Sequence, residues 1–161
     1  MYARDTALIA TPIGNVRISG NETRIESISI EPGDAASIKP ATAAVRRAAE
    51  QLNAWFAGTL TDFDLPLAPA ATSRGAVLRA GMLAIRYAET MSYAALARAV
   101  ASSPRAVGQA CARNPFPIVV PCHRVLNADG GLGAYSAGNG PATKIWLLDH
   151  EQRHNGGFRL T

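Results

Sequence analysis

The chain has 161 residues, 48% of them hydrophobic, and a formal charge of +4 with a pI near 9.5. That length suits one large domain or two small ones with a real core, and no apolar run is long enough to span a bilayer. Two cysteines, Cys111 and Cys122, and the absence of a long apolar stretch after Met1 argue against a disulfide scaffold and predict a reduced, cytoplasmic protein.

In chain order, Leu8 to Thr11 reads as a short strand, Pro12 to Asn15 as a turn, and Val16 to Ser19 and Arg24 to Ile30 as the rest of a meander. A polar loop covers Glu31 to Pro40. Val45, Ala48, Leu52, Trp55 and Phe56 then recur at helical spacing, and Gly58 stops that helix. The Pro/Ala-rich connector from Pro66 to Ala71 marks a boundary, giving an N-terminal domain over 1–70 and a C-terminal one over 71–161. Arg74 to Ala88 is apolar on most faces and predicts a buried helix. Ser92 caps a short helix bearing Tyr93, Leu96, Ala97 and Val100, and Ser103-Pro104 starts another. Two short helices with a tight link predict a helix-turn-helix.

On the second of these helices, Val107 and Cys111 share a face, which places Cys111 in the core. The open face carries the small residues Ala106, Gly108, Ala110 and Ala112, with Arg105 as its long side chain. Small residues let a partner approach the backbone closely; simple Ala richness gives the same pattern. Fourteen of the 16 basic residues are Arg, whose planar fork suits phosphates and base edges, although a coding bias produces the same count. Asn114 to Pro117 ends the helix. The apolar run Ile118-Val119-Val120 predicts a strand that delivers Cys122. Gly-rich loops bracket Tyr135 and Ser136, and a final helix starts near Pro141 with Ile145, Leu148 and Glu151.

Pro121-Cys122-His123-Arg124-Val125 sets a thiol beside an imidazole and a guanidinium. Cationic neighbours ease ionisation to the nucleophilic thiolate, whereas a buried free cysteine is commonly inert; these five residues alone leave both readings open. His150-Glu151-Gln152-Arg153-His154 matches the H-E-x-x-H pattern of zinc hydrolases. No third ligand stands in the tail that follows it, from Asn155 to Thr161.

The segments Asn114-Pro115, Pro117-Ile118, Pro121-Cys122-His123-Arg124-Val125, Tyr135-Ser136, Lys144, Leu147-Leu148 and Glu151 resemble the methylated-DNA–protein-cysteine methyltransferases, the O6-alkylguanine-DNA alkyltransferase family. Ser92-Tyr93, Leu96-Ala97 and Arg105-Ala106-Val107-Gly108 fit as well, and Thr11-Pro12-Ile13-Gly14 and Phe63 to Leu67 match more loosely. The resemblance implies an α+β fold: a small antiparallel sheet plus helix, ribonuclease H-like, then a helical, winged-helix-like domain with a helix-turn-helix. It implies single-turnover transfer of an alkyl group from O6-alkylguanine to Cys122. The partner is double-stranded DNA, bound through the minor groove by a monomer with no cofactor and no metal, and the damaged base is flipped out.

By the same resemblance, His123 takes the thiol proton through a water and Glu151 orients the imidazole. Asn114 holds the turn, and Tyr93 helps rotate the nucleotide and offers its hydroxyl to the leaving base. The Ser136 amide contacts O6, the carbonyls of Cys122 and Val125 accept from the guanine amine, and Tyr135 walls the pocket. Arg105 fills the vacated space, with Ala106, Gly108, Ala110, Arg113 and Arg124 also on the DNA side; Arg113 reads equally as a structural arginine. Departures from the family pattern fall at Ser73, Arg74, Arg86, Ala88 and Ala137, and in a longer loop after Ser136. With no Cys or His before Cys111, no N-terminal zinc is expected, and the chain reads as the free-standing repair protein. Two rival readings remain: a non-catalytic lesion-binding protein of this fold, and the zinc hydrolase.

Overall fold

Pro12 and Ile13 reverse the chain in a two-residue hairpin, and the first sheet grows outward from it. The computed structural model describes residues 4–155. Two compact units are present, Met1–Ala68 and Pro69–Thr161. The first three residues and the tail from 156, on which the sequence based its missing zinc ligand, lie outside the described residues.

In the first unit, β1 (Asp5–Thr11), β2 (Gly14–Gly20) and β3 (Ile25–Glu31) form an antiparallel sheet in that order. The first two strands run past the apolar stretches that predict them. Pairing extends from Thr11↔Gly14 to Asp5↔Gly20 because the ladder uses backbone groups, whatever the side chain. Helix α1 (Ala43–Phe56) packs on all three strands. Its Val45, Ala48, Leu52 and Trp55 are buried with Val16, Ile18 and Ile25, each large apolar side chain contributing about 1.5–3 kcal/mol. Leu67 bridges to Ile25, so the start of the proline-rich connector closes this unit.

The second unit holds α2 (Ser73–Leu83), α3 (Tyr93–Ala99), α4 (Pro104–Ala112) and α5 (Pro141–Arg153). A two-residue parallel bridge joins β4 (Met91–Ser92) to β5 (Val125–Leu126). The side chains of Thr72, Ser92 and Ser103 each accept from an N–H of the first helical turn, and Pro104 takes the first position of α4. Helices α3 and α4 form the predicted helix-turn-helix pair.

One expectation is corrected. α2 ends at Leu83, and only Leu78 and Met82 of it are buried, while Val77 and Leu83 face solvent. A single narrow stripe is covered because α3 comes very close: a Cβ on Gly81 would lie 2.6 Å from Val100 Cγ1. On α5 the inward face is Lys144, Leu147 and Glu151, whereas Ile145 is 52% exposed. The spacing i, i+3, i+7 places a charged pair inside and an isoleucine outside, the reverse of what hydropathy suggests.

Candidate active site

Asn114 lies just beyond α4 and organises the loop that follows. Its side-chain amide donates to the Val120 carbonyl at 2.9 Å and to Cys122 Sγ at 3.2 Å, while its Oδ1 accepts from the Phe116 N–H at 2.9 Å. The predicted strand over Ile118-Val119-Val120 does not form. Instead Val120 N–H donates to the Phe116 carbonyl and Cys122 N–H to the Val120 carbonyl, both at 2.8 Å, in consecutive turns. Ile118 sits at φ 75, a strained conformation for a β-branched residue. Cys122 then opens a 3-10 turn through Arg124, and the strand comes after it, as β5.

The thiol is 4% exposed. Burial pushes its pKa up, against the lowering effects of the Asn114 hydrogen bond and the Lys144 charge. Of the two readings the sequence left open, burial favours the protonated thiol, so a base is needed to remove its proton.

His123, the next residue, is the candidate for that base. The ring is fully buried and its Nε2 lies 2.7 Å from Glu151 Oε2. Burial pushes the Glu151 carboxyl up, but hydrogen bonds from His123 and Arg124 outweigh it and bring the pKa from 4.5 to about 2. An ionised carboxylate only accepts, so Nε2 carries a proton, and in the neutral ring Nδ1 then keeps the lone pair. Burial holds the His123 pKa below its ordinary value despite the carboxylate.

Arg124 is not on a DNA-facing surface, as the sequence expectation had it. It is 6% exposed. Its Nε reaches Glu151 Oε1 at 2.9 Å and its Nη2 reaches Oε2 at 2.8 Å, and its Nη1 donates to the Ile85 carbonyl at 2.6 Å. A buried guanidinium requires such partners. Lys144 is the second cation that sequence reading left without a role: fully buried, it donates from Nζ to the carbonyls of Val125, at 2.7 Å, and Leu132. The Val125 carbonyl thus already has one donor, with its second lone pair left over.

Ala88 completes the carboxylate's shell, donating its N–H to Glu151 Oε1 at 3.0 Å from a left-handed conformation, φ 66. Glycine suits that conformation and alanine does not. Ala88→Gly is expected to raise stability by about 1 kcal/mol, read as a higher denaturation midpoint; a lower midpoint would show that the alanine methyl contributes packing instead.

A cavity of about 530 Å³ is lined by Tyr93, Arg105, Gly108, Cys111, Tyr135 and Ser136 among others, and Cys122 is not one of its lining residues. Tyr93 and Tyr135 both lie within electrostatic reach of Cys122, and the Tyr135 hydroxyl is buried without a hydrogen-bond partner. Gly133, at φ 69, leaves no room for a side chain: a Cβ there would stand 3.0 Å from the Tyr93 ring. Ser136 Oγ donates to the Ala112 carbonyl at 3.3 Å, tying the long loop to α4. Cys111 is a half-buried wall residue rather than part of the core, and burial pushes its thiol up to about 12.

The small residues of α4 do not share one face. Gly108 and Ala112 line this cavity with the exposed Arg105, while Ala106, Gln109, Ala110 and Arg113 line a separate groove of about 580 Å³ shared with α2. Alternate residues on a helix lie about 200° apart, so an i, i+2 series divides between sides.

The H-E-x-x-H motif does not converge on a metal. Trp146, His150 and His154 stack in a column, with ring centroids 4.9 and 4.3 Å apart, and Glu151 is engaged by His123 and Arg124. Among the described residues no group of three or more His, Cys, Asp or Glu could hold a metal ion, and no helix is long and apolar enough to cross a membrane.

A buried thiol next in sequence to a histidine–carboxylate pair, coupled to two tyrosines of a cavity that helix-turn-helix residues also line, defines a cysteine-nucleophile protein built on an α+β fold. Residues 6–69 match the ribonuclease-like domain of 6-O-methylguanine DNA methyltransferase and residues 74–153 its DNA binding domain. The methylated-DNA–protein-cysteine methyltransferase of Methanosarcina barkeri is 37% identical over 81% of this chain and 87% of its own. That of Mycobacterium tuberculosis is 36% identical over 89% and 90%. The crystal structure of Mycobacterium tuberculosis OGT in complex with DNA superposes with a TM-score of 0.80 at 35% identity, covering 92% of this chain and 93% of that one. The chain belongs to the 6-O-methylguanine DNA methyltransferase family.

Proposed function

We propose that this chain repairs DNA by direct reversal, taking the alkyl group of O6-alkylguanine onto Cys122 in a single turnover. The observation that carries this reading is the chain of contacts from Glu151 to His123 next to a hydrogen-bonded, buried thiol. The Cys122 proton passes to His123, through a bridging water. The Sγ–carbon bond forms as the carbon–O6 bond breaks, and the electron pair stays on the guanine, which takes up a proton with the Tyr93 hydroxyl as donor. The product is a thioether, from which no leaving group departs easily, so the thiol is not regenerated.

Paired guanine keeps O6 inside the stack, so the base must be extruded into the cavity. Tyr135 forms a wall there and the Ser136 amide faces O6. The minor groove is approached by α4 with Gly108 and Arg105 leading, and Arg105 fills the vacated stack. The site draws all its residues from one unit, which supports action as a monomer, and two free thiols suit a reduced cytoplasm.

The test is mass spectrometry after incubation with duplex DNA containing O6-methylguanine. A gain of one methyl on the peptide bearing Cys122 is expected. Tight lesion binding without that gain would instead establish a non-catalytic lesion-binding protein. Arg105→Ala is expected to slow repair in duplex roughly tenfold, the effect of losing about 1.4 kcal/mol from the extruded state, while reaction with the free base is unchanged. Equal losses on both substrates would remove Arg105 from base extrusion.

A further inference from the structure

Arg124 neighbours the reacting thiol in sequence, yet every contact of its guanidinium lies within the protein. Five hydrogen bonds converge on the Glu151 carboxylate: one from the Ala88 N–H, one from His123 Nε2 and three from Arg124, whose Nε is shared between both oxygens. The carboxylate is fully buried. A buried carboxylate facing a histidine alone would draw a proton onto the ring and leave an imidazolium, which cannot accept from the thiol. A permanent cation on the same two oxygens changes that balance, since Glu151 is then already neutralised.

We propose that Arg124 is a positioning residue for alkyl transfer, and that by clamping both oxygens of Glu151 it keeps His123 in the neutral form that accepts the Cys122 proton. The inference rests on the alkyl-transfer reading of the site. The other groups facing His123 fit it. Lys144, from α5, is a second buried cation that disfavours the imidazolium. Cys122 precedes the ring as a neutral thiol. Tyr87, ahead of β4, lies with its ring centroid 5.7 Å from the Arg124 guanidinium carbon, and its own hydroxyl stays protonated, pushed up to about 12 by burial and the Glu151 charge. Glu151 alone favours the charged ring. Burial, Arg124 and Lys144 act the other way. The clamp also separates two jobs: Glu151 fixes the ring's orientation through Nε2, and Arg124 limits how strongly that same carboxylate attracts a proton.

The experiment is the pH dependence of the single-turnover transfer rate on O6-methylguanine duplex, for the wild type, Arg124→Gln and Arg124→Lys. In the wild type the acid limb is expected below the ordinary histidine range. Arg124→Gln is expected to move that limb upward by about one pH unit or more, so that its deficit deepens about tenfold on going from neutral to mildly acidic pH. Arg124→Lys keeps the charge and is expected to hold the limb in place at a lower rate. A uniform loss at every pH in Arg124→Gln would make the arginine merely structural and overturn the proposal.

Because Arg124→Gln removes a buried ion-pair partner and so puts folding itself at stake, the 15N shifts of the wild-type His123 ring provide an independent reading, assigned by comparison with His123→Gln. A neutral ring protonated at Nε2 at neutral pH is expected, and an imidazolium there would overturn the proposal even if transfer proceeds. Absence of methyl transfer by the wild type would instead defeat the alkyl-transfer reading, leaving the ring's protonation state to judge the clamp alone.

Discussion

Cys122→Ala is expected to abolish methyl transfer completely while leaving affinity for lesion-bearing duplex within about twofold. The rate effect is total because the acceptor atom itself is gone. Affinity is spared because Cys122 is 4% exposed and the groups proposed to face DNA lie on α4 and the loop through Ser136. The fold is spared too. Asn114 loses its contact with Sγ but keeps the Val120 carbonyl and the Phe116 N–H, so the stability change stays within about 1 kcal/mol, the net value of one ordinary hydrogen bond. Intact-mass spectrometry reads the first effect and fluorescence anisotropy of labelled duplex the second. If binding collapses along with transfer, Cys122 is a structural residue and the proposed chemistry is wrong.

Glu151→Gln is expected to destabilise the second unit by about 3–5 kcal/mol, the usual result of removing one member of a buried ion pair. Arg124 would then be left buried opposite a neutral amide. The pH dependence carries the same signature. The folded-state pKa of Glu151 is depressed from 4.5 to about 2, so its stabilisation is complete above 4.5 and is lost as pH falls through that window towards 2. Glu151→Gln has no such contribution to lose, and its stability curve is flatter there. The two tryptophans report separately, Trp55 in the first unit and Trp146 in the second, so chemical denaturation followed by their fluorescence locates the loss. An unchanged Trp146 transition at neutral pH would show that the buried pair contributes no net stability.

Much of this architecture is legible in local patterns. Helix starts announce themselves through Ser92, Ser103 and Pro104, because capping is satisfied within four residues. The hairpin at Pro12-Ile13 and the face of α1 follow from turn chemistry and period. The run before Cys122 is different, since three consecutive apolar residues look alike in a strand and in a buried turn. The signal that separates the two was present: Pro115, Pro117 and Pro121 remove three backbone donors that a strand would need. Arg124 was misplaced for another reason. A charge beside a reactive cysteine reads as surface, and the partner that permits its burial stands 27 residues downstream, beyond any local pattern. The role of Glu151 was legible only through family resemblance, for its own neighbourhood points instead to a zinc motif. Lys144 does not read from sequence as a buried cation, because lysine on a helix is ordinarily solvated.

Gly108 occupies the middle of α4, where glycine is about 1 kcal/mol worse than alanine, and a Cβ there would meet nothing within 4 Å. Packing within the free protein therefore gives no reason for it. Selection for heat resistance alone would drift this codon towards alanine, and, on the proposed approach of α4 to DNA, selection for survival under alkylating stress is expected to drive it back. Position 108 is thus where the interests of the folded protein and of the genome it guards diverge, and laboratory evolution under one pressure or the other would show which of them has kept that space empty.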